Sequence, residues 1–213
     1  MKNTTRRLSV AVAAALGLAA LLTPTASATS ASRGPSTPPA SSQAERPASF
    51  YEKRSSEIQA YLEQHFTEVV PQATSLDVQR PAGDSGEFAD DMGYLFHWIL
   101  FDNGSDHSGV ALQYDEPGHF DVPSDELCEQ DPDTTSCTSE TLPDGSELVT
   151  RTIDIDDQRK LLAVNDYRPD GSVVWVDCPN YDPILSHNGT PQKDFPVSRE
   201  QLVTLVTDPA LGL

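Results

Sequence analysis

The chain has 213 residues, of which 14 are lysine or arginine and 33 are aspartate or glutamate, so its formal net charge at pH 7 is −19. An acidic surplus of this size opposes binding to nucleic acids and to anionic membranes, because both are polyanions. It favours a basic protein or a cation as a partner. The simplest interpretation is that the acidic groups keep the surface solvated.

The first 28 residues have the pattern of an export signal. Lys2, Arg6 and Arg7 form a basic start, an apolar run follows from Leu8 to Leu22, and Ala26-Ser27-Ala28 provides the cleavage site. The apolar run is shorter than the roughly 20 residues that span a bilayer. We therefore expect a secreted, extracellular protein with no membrane insertion after the signal is cleaved. A surface-tethered protein that keeps its signal is the alternative.

The composition changes twice along the rest of the chain. Residues 29–48 are rich in Ser, Pro, Ala and Thr without apolar periodicity, which predicts a disordered tether. Residues 49–213 have the length of one domain with its own hydrophobic core. We expect this single α+β domain to be a monomer.

Two helices are predicted at the ends of the domain. Ser49 and Glu52 have the spacing of a capping box, and apolar residues recur at helical spacing from Ile58 to Val70. Ser198 and Gln201 form a second capping box before a short apolar helix. Both helices are expected to bury their apolar side against the rest of the domain.

The segments between these helices read as an antiparallel sheet. Pro-Asp-Gly-Ser occurs at Pro143–Ser146 and again at Pro169–Ser172, and each copy predicts a turn with glycine at positive φ. The aromatic run Met92–Asp102 is apolar at both odd and even positions, which predicts a central strand buried on both faces. The other strands are expected at Gly109–Tyr114, Glu147–Ile155, Lys160–Arg168 and Val173–Cys178. The predicted fold is α+β: a twisted antiparallel meander with Pro-Asp-Gly-Ser hairpins, packed by an N-terminal and a C-terminal helix.

Three cysteines allow three single pairings, and their positions alone do not choose rigorously among them. Cys128 and Cys137 are close in sequence and lie in an exported chain, so we favour a disulfide between them. Cys178 is then either buried and inert or paired with another molecule.

The sequence contains no recognisable catalytic motif. It lacks Gly-x-Ser-x-Gly, and its histidines do not have the spacing of zinc ligands. Calcium fits the acidic composition better, with Asp102, Asn103 and Asp106 as a candidate set, although the EF-hand pattern is absent. No other cofactor or metal is expected.

Several of these features occur together in one known group of proteins. They are the export signal, the Ser/Pro tether, the cysteine pair before Leu142-Pro143-Asp144-Gly145-Ser146, the second Pro-Asp-Gly-Ser, and the tail that begins Ser198-Arg199-Glu200-Gln201-Leu202. In these respects the chain resembles the small exported proteins of unknown function found in streptomycete-type actinobacteria. The resemblance covers roughly Asp115 to Leu213 best and implies architecture without chemistry.

The favoured function is a secreted, acidic, non-enzymatic binding module for a protein or a cation. Trp175 and Tyr167 are the candidate binding face, since aromatic residues on an exposed sheet face make good anchors. For Trp98 we expect core packing. A secreted hydrolase is the alternative, and it would be supported by a pocket where two acids or a histidine–acid pair converge, with one acid of raised pKa.

Overall fold

The computed structural model describes residues 46–80, 87–104, 106–184 and 190–213. The predicted signal, residues 1–28, and all but the end of the predicted tether, residues 29–48, lie outside these ranges. Within them, no helix combines the length and the apolar character needed to cross a bilayer. The folded part has begun by Arg46, because the Arg46 and Ala48 backbone N–H groups donate to the carboxylates of Asp91 and Asp90, both at 2.7 Å.

The described residues form two α-helices and seven β-strands. The helices are α1 (Ala48–Val69) and α2 (Arg199–Val206). The strands are β1 (Ala73–Gln79), β2 (Tyr94–Asn103), β3 (Asp106–Asp115), β4 (Thr134–Thr141), β5 (Glu147–Asp154), β6 (Lys160–Tyr167) and β7 (Val173–Pro179). A short 3₁₀ turn, Leu127–Glu129, precedes β4.

All seven strands belong to one antiparallel sheet with the order β1-β2-β3-β7-β6-β5-β4. Two meanders, β1 to β3 and β4 to β7, therefore meet where β3 pairs with β7. Together with the two flanking helices, this sheet confirms the predicted α+β fold.

Both Pro-Asp-Gly-Ser segments form the predicted turns. Gly145 and Gly171 have φ of 89° and 87°, a region that glycine enters without steric cost. In each turn the aspartate Oδ1 accepts from the serine backbone N–H two residues later, at 3.0 Å from Ser146 and 2.9 Å from Ser172. Local side-chain chemistry is thus sufficient to fix both hairpins.

The two helix starts differ. At α2, Ser198 and Gln201 form the predicted capping box. At α1 the prediction of a Ser49 cap is wrong, because the N-cap is Pro47 and has no side-chain hydrogen bond. The Asp90 carboxylate, which comes from a distant loop, binds the first N–H of the helix instead. A tertiary contact has taken the place of the local cap.

Both helices lie on the same face of the sheet, which we call the covered face. Phe66 of α1 packs on Phe101 of β2 with ring centroids 5.5 Å apart, and Leu202 of α2 belongs to the same buried cluster as Val174 and Val176 of β7. The hydrophobic core therefore lies between the helices and one side of the sheet.

The prediction that Met92–Asp102 forms a central strand buried on both faces is wrong. β2 is next to the edge strand β1, and β7 occupies the centre. Leu95 and Ile99 are buried under α1, whereas Phe96 and Trp98 point the other way and are partly exposed. The expected core packing of Trp98 is accordingly also wrong. Alternate residues of the aromatic run therefore point to the covered face and to the opposite face of the sheet.

Candidate functional site

Side chains on the sheet surface opposite the helices form a second surface, which we call the open face. Residues paired across antiparallel strands point to the same side of the sheet, so the register defines rows that cross this face. One row is Gln79, Trp98, Ala111, Asp177, Ala163, Arg151 and Cys137. The neighbouring row is Phe96, Gln113, Trp175, Asn165, Val149 and Ser139.

Aromatic residues lie in both of these rows. Phe96 and Trp98 lie edge to face with ring centroids 5.3 Å apart on β2, and Trp175 is on β7. Only the small Ala111 lies between Trp98 and Asp177 in their row. Because neighbouring strands are about 4.8 Å apart, the backbones of Trp98 and Asp177 are roughly 10 Å apart. The chain's two tryptophans both belong to this face.

Asp177 carries an unpaired carboxyl group on this surface. It is partly exposed, and none of the described residues donates a hydrogen bond to it. Burial raises its pKa to about 7, and the positive charge of Arg151 offsets only part of that rise. A carboxyl group whose pKa is strongly raised by burial is a candidate functional group.

Two polar atoms beside Asp177 also have no partner among the described residues. They are Oδ1 of Asn165, whose residue is 3% exposed, and Nε of Arg151. Buried polar atoms are normally satisfied by protein, water or ligand, because an unpaired one costs free energy. The middle of the open face therefore has hydrogen-bonding capacity that the described side chains do not use.

The Trp175 indole is fixed by a buried carboxylate. Its Nε1 donates to Oδ2 of Asp115 at 3.2 Å, while Gln113 Nε2 and His119 Nδ1 bind the same carboxylate at 2.9 Å and 3.0 Å from Oδ1. Burial raises the pKa of Asp115, and these hydrogen bonds oppose the rise. His119 also stacks on Tyr94, with ring centroids 5.4 Å apart. The indole plane is thus held in place by this network.

The loop before β4 covers the part of the open face that carries Arg151 of β5 and Tyr167 of β6. Leu127 is buried there, and its carbonyl accepts from Nη1 of Arg151 at 3.4 Å. The predicted disulfide between Cys128 and Cys137 is confirmed, and it joins this loop to β4. The accessible part of the open face is therefore limited to the side that carries β2, β3 and β7.

Of the two residues predicted as a binding face, Trp175 lies in the accessible part and Tyr167 lies under the loop. The Tyr167 hydroxyl donates to the Val122 carbonyl at 3.1 Å, and its ring packs on Phe120 with centroids 5.9 Å apart. Tyr167 thus anchors the loop.

The segment after β7 lies against the sheet at Gly109 of β3. A Cβ on Gly109 would lie 2.9 Å from Cγ of Pro183, so only glycine lets this segment approach the sheet so closely. Ile184, at the end of the described part of this segment, is 66% exposed. An apolar side chain therefore extends into solvent from this segment.

The candidate calcium residues lie at the β2–β3 hairpin. Asp102 contacts the ring of His107 and lines a cavity of about 390 Å³ that Asp77 and Asp182 also line. Asn103 pairs with Asp106 across the hairpin, and neither lines this cavity. Across the described ranges, the acids, histidines and cysteines form no group of three arranged to hold a metal.

Two groups on the covered face are structural. Cys178 is buried, as one of its predicted alternatives required, and burial raises the pKa of its thiol to about 12. His97 is fully buried, with Nε2 lying 3.2 Å from the Ser55 hydroxyl, and burial lowers its pKa to about 4. Both groups therefore stay uncharged at neutral pH.

Sequence reasoning did not identify Phe96, Asn165 or Asp177 as site residues. Each has an ordinary local context, and it is the β3–β7 pairing that brings them together. The one local signal was the period-2 alternation around Trp175, which requires the indole and its valine neighbours to face opposite sides.

Comparison with family models, with curated proteins and with solved structures finds no match to this chain.

Proposed function

We propose that this protein is a secreted binding module that holds its ligand on the open face of the sheet. The observation that carries the proposal is that both helices lie on the opposite face, so that Phe96, Trp98 and Trp175 stay partly exposed. Aromatic residues are enriched where proteins make contacts, since each contributes a large apolar area at a low cost in side-chain entropy.

Fixed polar groups beside the aromatic residues support the same proposal. The unpaired Asp177 carboxyl provides directional hydrogen-bond acceptors, and the Asp115 network holds the Trp175 indole in one orientation. Apolar area gives affinity, whereas a few fixed polar groups give specificity. This combination is what a binding surface requires.

Export is part of the proposal. The signal pattern at residues 1–28 and the Cys128–Cys137 disulfide both support it, because disulfides persist in oxidising environments. N-terminal sequencing of the mature chain is expected to find cleavage after Ala28. A mature chain that retains its first 28 residues would contradict secretion and favour the surface-tethered alternative.

The binding function can be tested without knowing the ligand, since both tryptophans lie on the proposed surface. We would titrate the exported chain with neutral hexasaccharides, tetralysine, tetraglycine and calcium chloride, and record tryptophan fluorescence. We expect a saturable change with one class of probe, and we expect Phe96→Ala to weaken it at least fivefold. Glu63→Ala, on the exposed side of α1, is the matched control and should leave it unchanged.

The proposal fails under either of two outcomes. One is that no class of probe gives a saturable change. The other is that the response is the same in Phe96→Ala as in the unmodified chain, since the ligand would then bind elsewhere.

One observation favours a secreted hydrolase as the second candidate. His119 Nδ1 lies 3.0 Å from Oδ1 of Asp115, whose residue is 2% exposed. With Nδ1 donating, Nε2 is left as a base, which is the arrangement of a histidine positioned by a carboxylate. Release of nitrophenol from p-nitrophenyl acetate or p-nitrophenyl glycosides, lost in His119→Ala, would establish this activity. Equal release by both chains would exclude a role for the pair.

A further inference from the structure

The cavity of about 390 Å³ beside the β2–β3 hairpin opens on the open face. Asp77 of β1, Leu100 of β2 and Gly109 of β3 form a row across these strands. This row is two residues from the row that contains Trp98, so it points to the same side of the sheet. The cavity volume is within the range of small-ligand pockets. The open face therefore has a recess at this end, between the three strands and the segment after β7.

Three carboxylates line the cavity, and they come from Asp77, Asp102 and Asp182. Asp77 is exposed and the Asp102 side chain is 29% exposed, so a ligand can reach both. Among the described residues of the lining, His107 alone can carry a positive charge, and it balances at most one of the three carboxylates. The cavity therefore carries an excess of negative charge.

The strands around the cavity do not neutralise this charge. As the structure describes them, β1, β2, β3 and β7 contain no lysine or arginine. Arg151 lies on β5 under the loop before β4. Lys193 follows Gln192, which binds the His107 carbonyl at 3.3 Å, but Lys193 does not line the cavity. The accessible part of the open face is therefore complementary to a positively charged ligand.

The arrangement of the lining fits an organic cation better than a metal ion. Across the described ranges, the acids, histidines and cysteines form no group of three arranged to hold a metal. The rest of the lining includes the apolar residues Leu100, Phe101 and Ile184. A lysine or arginine side chain matches both parts, because it has an apolar stem and a charged end with several hydrogen-bond donors.

The aromatic residues next to the cavity favour a peptide over a small free amine. Phe96, Trp98, Leu100 and Asp102 alternate along β2, so all four point to the open face. Phe96 and Trp98 are partly exposed. A peptide with one basic side chain in the cavity extends over these two rings, whereas a small amine leaves them in water.

We infer that the open face binds a basic peptide segment of another protein, with a lysine or arginine side chain in the cavity between Asp77 and Asp102 and the adjacent residues over Trp98. This inference rests on the proposed binding function and specifies its ligand. The ammonium or guanidinium group donates hydrogen bonds to the carboxylates, and such charged pairs are stronger than hydrogen bonds between neutral groups.

The test titrates the exported chain with three probes: tetralysine, the same peptide acetylated on every Nζ, and spermine. Tryptophan fluorescence follows binding, since Trp98 is two residues from Leu100 of the lining, and titration calorimetry repeats it. Salt at about 0.15 M screens distant surface charges. We expect tetralysine to saturate the protein and to bind at least tenfold more tightly than the acetylated peptide, which lacks the charge, or spermine, which lacks the backbone.

Variants of the lining locate the site. Asp77→Asn and Asp102→Asn each remove one charge with little change of shape, and each should raise the Kd of tetralysine at least threefold. The double variant should raise it at least tenfold. Asp157→Asn is the matched control, because Asp157 is exposed between β5 and β6 and does not line the cavity. Its Kd should stay within twofold of the unmodified chain.

Each other outcome has a definite meaning. If a hexasaccharide, tetraglycine or calcium saturates the protein and tetralysine does not, the basic-peptide inference is wrong while the binding function stands. If no probe saturates it, both are wrong. If the double variant, shown to be folded by far-ultraviolet circular dichroism, binds tetralysine as tightly as the Asp157→Asn control, the peptide lies elsewhere and the inference is overturned. Spermine binding as tight as that of tetralysine would also overturn it, since a peptide would then not be required.

Discussion

The covered and open faces of the sheet are built from the same strands and have opposite chemistry. On the covered face, Phe101, Leu112 and Val176 pack under the helices and are at most 3% exposed. On the open face, Phe96 and Trp98 stay partly exposed beside the unpaired Asp177 carboxyl. One side of the sheet therefore provides the stability of the fold, whereas the other carries a carboxyl group that lowers stability and is available to a ligand.

The largest expected effect compares two phenylalanines of β2. Phe101→Ala removes a buried ring from the covered face and should lower the free energy of unfolding by about 3–5 kcal/mol. Phe96→Ala, the same change on the open face, should cost about 1 kcal/mol because that ring is already partly hydrated. Urea denaturation of both variants checks this. Equal losses would mean that the open face is a second core.

The next prediction concerns how His97, on the covered face, makes the free energy of unfolding depend on pH. Its folded pKa of about 4 is below the unfolded value of 6.5, so the stability it contributes is present above pH 6.5 and is lost as the pH falls towards 4. That loss is about 3 kcal/mol at 1.4 kcal/mol per pKa unit. His97→Gln should remove it, which denaturation at pH 4 and pH 8 would show. An unchanged pH dependence in His97→Gln would contradict the assignment.

Asp177 on the open face should have the opposite pH dependence. Its folded pKa of about 7 is above the usual 3.8, so the stability it contributes is present below pH 3.8 and is lost as the pH rises through 7. Asp177→Asn should therefore raise the free energy of unfolding at pH 8, on the order of 2 kcal/mol after allowance for solvent screening.

The measurement for Asp177→Asn is denaturation at pH 4 and pH 8 beside the unmodified chain. Because Asp177 and His97 act in opposite directions over nearly the same pH range, their contributions largely cancel in the unmodified chain. Each variant should reveal the pH dependence of the other residue. Lower stability of Asp177→Asn at pH 8 would show that the carboxylate has a stabilising partner.

The smallest expected effect tests how α2 is held on the covered face. Ser198→Ala removes the capping box and should cost about 1 kcal/mol. The open face should be unaffected, so tryptophan fluorescence of the folded variant should match that of the unmodified chain. A shifted emission spectrum would show that α2 also shapes the open face.

Local chemistry made most of the second half of the fold predictable, although β4 lies in a segment that was expected to be a loop. The two Pro-Asp-Gly-Ser turns close through their own aspartates, and the strands between them end within a residue of the predicted bounds at Asp154 and Tyr167. The Cys128–Cys137 disulfide was equally local. The start of α1 was not predictable, because the group that binds its first N–H is Asp90, 42 residues away.

The sequence predicts the two Pro-Asp-Gly-Ser turns, five of the seven described strands and the two different sides of the strand that carries Trp175, but it did not predict β1 or β4. It could not determine which side the helices would cover, because period-2 alternation separates two faces without naming the buried one. Tertiary structure decided that by pairing β3 with β7, which brings Asp115 to Trp175 across 60 residues of chain. The site exists only in that register, since a shift of one residue would turn Trp175 and Asp177 into the core.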